Sequence, residues 1–220
     1  MTSWLHKPRI LWVALAGILA ITVGATWAIT ASLSPPAAGS LTDMTGKHVA
    51  LDPGTLPPAK VRKQMHAIAD TGPRFRVPSV GLNVPLGAIS VAGGQLTPPG
   101  FTSVYAVRNL GTTRTAPGKG TLYVVTHSLR GGGKAPGNYL TDISRQQAAV
   151  KPGDVVFVGS TEYTIATSTL VKKTDIAAQN TLWANTPNRL AIITCLEKPT
   201  GVPSTDNLII YAKLKTSATP

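Results

Sequence analysis

The sequence predicts a mainly β fold, a closed or nearly closed barrel with short helices, preceded by one transmembrane helix. Its 220 residues are 43% hydrophobic but only 5% aromatic, and 21 glycines and 18 prolines suit a loop-rich sheet better than a helical bundle. Seven or eight short apolar or alternating runs, cut by Gly and Pro turns and without a repeat period, are the pattern of a barrel. Residues 10–29 run for twenty positions without a charge, the length of a bilayer core, and leave chain enough for one domain of about 150 residues.

Residues 1–9 carry His6, Lys7 and Arg9 and no acid, so the positive-inside rule keeps this leader in the cytoplasm and sends everything after Ile29 outside. Ala28, Ala31 and Ala37 offer a rival reading as a cleaved signal, but signal cores usually run about 7–15 residues, which favours a retained anchor. The expected location is therefore the cell membrane, single-pass, with the domain extracellular. Residues 30–72 are rich in Pro, Gly, Ala and Ser and read as a spacer. Within it Val61, Met65 and Ile68, at i, i+4 and i+7, predict one short amphipathic helix, docked on the domain or lying on lipid.

The domain is expected over residues 73–220. Residues 74–79 alternate as a half-buried strand, and 84–89 begin another whose prolines suit an edge. A long connection over 95–120 contains one short apolar run at 103–107, and 122–126 form a strand that ends on His127. Residues 139–149 suggest a helical turn or two, and 155–158 and 161–167 flank Gly159-Ser160, a two-residue hairpin signal. A second connection over 170–189 holds a helix candidate at 175–183. Residues 190–196 are the second continuous apolar run, carrying the chain's one cysteine, and 207–214 close the domain.

Net charge is +12, but the bases are scattered and lack interleaved aromatics, so nucleic acid is not the expected partner. Attraction to anionic lipid or wall polymers, or plain solubility, accounts for such a surface. One cysteine excludes an intramolecular disulfide. His6, His48 and His66 stand at no metal-ligand spacing from Cys195, and Asp142, Asp154, Glu162 and Asp175 are too dispersed to argue a calcium site, so neither metal nor cofactor is expected. The triple glycine at 131–133 lacks the Gly-Lys-Ser/Thr of a phosphate loop and reads as a mobile loop.

The chemistry lies in Cys195 and His127, each at the end of an apolar strand. An ordinary thiol with pKa about 8.5 is only a few per cent thiolate at neutral pH, so it needs a neighbouring base. An imidazole meets that need and returns the proton to a leaving amine, the minimum apparatus for covalent acyl transfer. Taken singly, Cys195 reads as a small buried hydrophobe and His127 as a satisfied surface histidine. Only their joint placement at strand ends favours a reaction centre.

The order of parts resembles the sortases, membrane-anchored cysteine transpeptidases of Gram-positive surfaces, of an actinobacterial class E/F-like type. The residues that carry the likeness are an opening Arg-Phe-Arg-Val-Pro strand from Arg74, the strand ending in His127, Gly-Asp-Val-Val-Phe-Val from Gly153, Ile-Thr-Cys at 193–195 and the closing apolar strand. The resemblance implies an eight-stranded barrel that binds a sorting signal of the Leu-Pro-x-Thr-Gly type. It also implies that Cys195 attacks the threonine carbonyl, that His127 protonates the departing glycine amine, and that an amine from a cell-wall precursor or pilin resolves the thioester.

The family's arginine at the start of the closing strand is absent: residues 203–212 contain none, and the vacancy falls at Asn207, or at Thr205 in a shifted register. Asn207 offers an amide donor but not the charge or two-pronged geometry of a guanidinium. Arg130, three residues past His127, is the second candidate, and Thr194 is a candidate for substrate binding through its hydroxyl or backbone. The alternative function is a catalytically weak or silent barrel that binds surface proteins or wall polymers. A peptidoglycan-crosslinking cysteine transpeptidase is disfavoured, because Ile193-Thr194 stands where a Ser-His-Gly-Cys arrangement would be. A helix-borne thiol protease is disfavoured because Cys195 follows a strand pattern.

Overall fold

The computed structural model describes residues 41–49 and 56–216. The expected leader and the anchor over 10–29 lie outside the described residues, and no helix among those described is long and apolar enough to cross a membrane. The strands are β1 (Arg74–Val77), β2 (Leu82–Ile89), β3 (Val104–Gly111), β4 (Thr121–Val125), β5 (Thr141–Asp142), β6 (Gln147–Ala148), β7 (Val155–Val158), β8 (Thr161–Lys172), β9 (Arg189–Leu196) and β10 (Asp206–Leu214). Three short helices, α1 (Ala59–Gln64), α2 (Pro136–Leu140) and α3 (Asn180–Trp183), sit in the connections.

Eight of the strands close a barrel in the order β1-β2-β3-β4-β9-β10-β8-β7, while β5 and β6 form a separate hairpin. Closure leaves no free edge strand in the barrel. Neighbours are antiparallel except β2 with β3 and β4 with β9. The prolines of the first two strands do not break the ladder: Pro78 starts a 3-10 turn after β1, and Pro85 lies opposite Arg74 inside β2.

Side chains alternate between the two faces of each strand. Phe75, Leu86, Val124, Ile192 and Ile210 fill the barrel interior, while Tyr105, Tyr123, Val125, Ala191, Ile193 and Ile209 pack in a second layer outside it. The strands β4 and β9 are buried on both faces, which is why their sequences are continuous apolar runs rather than alternating ones. Leu182 and Met65 cover the outer layer. The Arg189 guanidinium fastens the α3 region to it, donating to Thr121 Oγ1 at 2.9 Å, to the Thr181 carbonyl at 2.8 Å and to the carbonyls of Leu182 and Ala184.

Several elements differ from the sequence expectation. The helix α1 stops at Gln64, and His66 adopts a left-handed φ of 44°; Ile68 therefore leaves the helical stripe, pairs with Ala88 and is 52% exposed. Residues 139–149 hold the end of α2 and the β5–β6 hairpin instead of helical turns alone. The helix candidate at 175–183 is a 3-10 turn, Ile176–Ala178, followed by α3. The strand β8 continues five residues past 167, to Lys172.

Part of the stretch expected to be a spacer packs with the barrel in one compact unit. Asp43 Oδ1 accepts from the Thr45 and Lys47 amides and the Thr45 hydroxyl at 2.7–3.0 Å, and its Oδ2 accepts from the Lys134 amide at 3.0 Å. These donors, the Thr45 hydroxyl foremost, lower the Asp43 carboxyl to about 2. They tie residues 41–49 to the glycine-rich loop after His127.

The interior contains one misfit. The Tyr163 hydroxyl is buried with no hydrogen-bond partner among the described residues, and burial pushes its pKa up to about 12. A desolvated, unbonded hydroxyl costs about 1–3 kcal/mol. Tyr163→Phe is therefore expected to unfold at the same or a higher denaturant concentration than the parent. A loss above about 1 kcal/mol would mean that the hydroxyl is bonded.

Candidate active site

The site follows from strand register. Parallel pairing sets Val125 of β4 beside Ile193 of β9, and the Thr126 amide extends the ladder by donating to the Ile193 carbonyl at 3.1 Å. Val125 and Ile193 both lie in the outer layer. Two residues further along each strand, the period of two puts His127 and Cys195 on that same face, at the same end of adjacent strands. Cys195 in turn sits opposite Asn207 of β10. All three line one cleft of about 890 Å³.

The cleft walls come from four connections between strands and from residues 47–49. The β2–β3 loop brings Pro98 and Phe101 over the imidazole, and the loop after β4 supplies Ser128, Arg130 and the glycines at 131–133. The β9–β10 loop adds Pro203 and Ser204, and the N-terminal stretch adds Lys47, His48 and Val49. Lys173, the first residue past β8, closes the fourth side.

His127 is half-buried. Its Nε2 lies 2.9 Å from the Pro98 carbonyl oxygen, and Phe101 packs against the ring with centroids 5.0 Å apart. A carbonyl only accepts, so Nε2 carries the hydrogen and the lone pair of the neutral ring is on Nδ1. Burial pulls the His127 pKa below the ordinary imidazole value; the Pro98 carbonyl works against that and the Lys173 charge adds to it. The ring rests neutral at pH 7, ready to take a proton.

Cys195 is half-buried, and burial pushes its thiol pKa up; the Lys173 ammonium opposes this, while the Glu197 carboxylate reinforces it. The resting pair is thus thiol and neutral imidazole rather than thiolate and imidazolium. Asn207 turns its amide oxygen toward the sulfur, with Sγ to Oδ1 3.9 Å, the orientation that accepts from the thiol rather than donates to an anion.

Two other sequence candidates have prior engagements. Arg130 lines the cleft, but its Nη1 donates to the Gly201 carbonyl at 3.1 Å, joining the His127 loop to the β9–β10 loop. Thr194 has inward parity and is only 2% exposed, with its hydroxyl 3.0 Å from Ser128 Oγ. That contact braces the strand ends, and Thr194 also lines the cleft. Among the described residues no group of His, Cys, Asp and Glu is arranged to hold a metal ion.

The residue that sequence reasoning missed is Lys173. Residues 170–189 read as a connection, although the β-branched run Thr167, Thr169, Val171 continues the strand. Following it to its end would have delivered a lysine to the rim.

No family model matches the chain, and no curated protein matches it. Solved structures with similar folds include sortase A of Listeria monocytogenes, at 20% identity over 68% of this chain and 89% of that one, with a TM-score of 0.48. A lid mutant of sortase A from Corynebacterium diphtheriae gives 12% identity over 66% and 70% of the two chains and a TM-score of 0.47. Sortase C-1 from Streptococcus pneumoniae gives 14% identity over 69% and 70%, also at a TM-score of 0.47. What the cleft can do follows from its own side chains.

Those side chains are held in place partly by a glycine. The Gly137 amide, in α2, donates to the His127 carbonyl at 2.9 Å. A Cβ on Gly137 would collide with Thr194 Oγ1 and Ser128 Oγ and come within 2.6 Å of the His127 carbonyl. Gly137→Ala is expected to push α2 off the strand ends, costing about 1–3 kcal/mol of stability and slowing Cys195 chemistry. Denaturant unfolding and thiol alkylation check this; an unchanged protein by both would show that the contact yields without consequence.

Proposed function

We propose that this chain is a sortase-type cysteine transpeptidase that cleaves a sorting signal of the Leu-Pro-x-Thr-Gly kind and joins the exported protein to an amine. In this reading residues 10–29 anchor it in the membrane and the barrel works outside the cell, where a cell-wall precursor or pilin supplies the amine. The support that carries it is the shared outer face of His127 and Cys195 at the ends of adjacent parallel strands, in one cleft of about 890 Å³.

The chemistry runs from two neutral partners. His127 Nδ1 takes the thiol proton as sulfur attacks the scissile carbonyl, so the S–C bond forms and the carbonyl π pair moves onto oxygen. When the tetrahedral adduct collapses, the C–N bond breaks and the imidazolium returns its proton to the leaving amine. The incoming amine then reverses the sequence, expelling the sulfur. Asn207 orients the thiol by accepting from it, Arg130 holds two cleft walls together through Gly201, and Thr194 contributes by fixing Ser128, the residue after His127.

The full chain incubated with a set of Leu-Pro-x-Thr-Gly peptides is expected to gain the mass of the threonine-ended fragment on Cys195. Addition of an amine should release it. Cys195→Ala abolishes the adduct, and His127→Ala lowers its rate by roughly 10²–10⁴. If the thiol alkylates readily yet takes up no acyl group from any peptide, the reading gives way to a silent barrel that binds without reacting.

A further inference from the structure

Burial of both members of the Cys195–His127 pair creates an electrostatic problem. The sulfur must carry negative charge to attack, and the half-buried site withholds the water that would solvate it. A reaction centre of this kind calls for a positive charge fixed at the sulfur. Asn207 is neutral, and as placed it presents an oxygen to the thiol. The Arg130 guanidinium is engaged at the Gly201 carbonyl.

Lys173 reaches the sulfur by way of an irregularity in β8. Tyr211 of β10 pairs with Thr167, but Ala212 pairs with Ile165, so Ala166 is an unpaired bulge residue. One extra residue inverts the faces. Before the bulge Tyr163 and Ile165 point into the barrel; after it Thr167, Thr169 and Val171 pair with Tyr211, Ile209 and Asn207, residues of the outer face. The Lys173 amide carries the register one step further by donating to the Thr205 carbonyl at 2.9 Å. Its side chain therefore emerges on the same face as His127, Cys195 and Asn207 and lines their cleft.

We propose that Lys173 is the cation of the reaction centre, holding the Cys195 thiolate and then facing the oxyanion to which the sulfur's charge passes during attack. The lysine keeps its protons throughout; only the thiol proton moves, to His127 and on to the leaving amine. The role in attack rests on the transpeptidase reading, whereas the ammonium–sulfur pairing stands without it. In agreement with the geometry, the Lys173 charge and hydrogen bond act on the Cys195 thiol to favour its ionised form, and the same charge disfavours a second positive charge on His127. The other charged or titratable groups facing the sulfur are His127, two residues past β4, and Glu197, the first residue past β9. Arg130 in the glycine-rich loop, and Asp43, Lys47 and His48 in the N-terminal stretch, line the cleft around them.

The test is the pH dependence of Cys195 alkylation by iodoacetamide in the full chain, which requires no peptide. Lys173 withdrawn, the thiol pKa rises and less thiolate exists at any pH below it. Lys173→Met is expected to move the alkylation midpoint to higher pH and slow the reaction at pH 7 by roughly threefold to tenfold, a modest shift because the lysine is exposed and screened. Lys173→Arg should restore the parent midpoint. A midpoint that stays put in Lys173→Met, or moves equally in both variants, overturns the proposal. Far-UV circular dichroism identifies any unfolding, and raising salt in the parent chain provides a second measurement, expected to shift its midpoint in the direction of Lys173→Met; a midpoint indifferent to salt counts against the pairing. Peptide acylation is scored separately: a lysine-dependent midpoint without acylation upholds the charge pair and rejects the transpeptidase, and acylation with a lysine-independent midpoint does the reverse.

Discussion

The parallel pairing of β4 with β9 is the constraint on which the rest of the molecule depends. A parallel neighbour brings two strand ends of the same sense together, and register then fixes which residues leave the sheet side by side. With Val125 beside Ile193, the imidazole and the thiol have no freedom to be elsewhere than on one face. A slip of one residue would turn one of them into the barrel. The pairing is enforced by burial on both faces, inner by Leu122, Val124, Leu190 and Ile192 and outer by Tyr123, Val125, Ala191 and Ile193.

That same burial sets the chemistry. Apolar surroundings that hold the register also raise the thiol and lower the imidazole, leaving both uncharged at rest. The loops contribute in different ways: Pro98 fixes the tautomer of His127, Gly137 lets α2 approach the strand ends, and Asp43 ties residues 41–49 to the wall beside them.

Much of this was legible in the sequence because the two central strands are written as unbroken apolar runs, and such runs admit few other readings once the turns around them are found. Cys195 and His127 could be paired on that ground alone, and the eight-stranded barrel implied by the resemblance is the one observed. The helix stripe through Val61 and Met65 was also visible, but its end was not, because the left-handed turn at His66 has no glycine to announce it. Thr194 stands beside the thiol in the sequence; its inward parity and its contact with Ser128 are tertiary facts that the sequence does not show. Lys173 was hidden twice, first by a polar strand that resembles a loop and then by the bulge at Ala166, which reverses the faces a period-two reading would assign.

The central claim, that His127 and Cys195 leave neighbouring strands on one face, is open to a direct geometric measurement. Adjacent strands lie about 4.8 Å apart, inside the Cα separation that a disulfide spans. Because Cys195 is the chain's one cysteine, His127→Cys creates a single possible intramolecular pair. Mild oxidation of that variant should form the 127–195 disulfide quantitatively, read as loss of both thiols and a crosslinked peptide by mass. Two thiols that stay free and alkylate independently under the same oxidant would contradict the account.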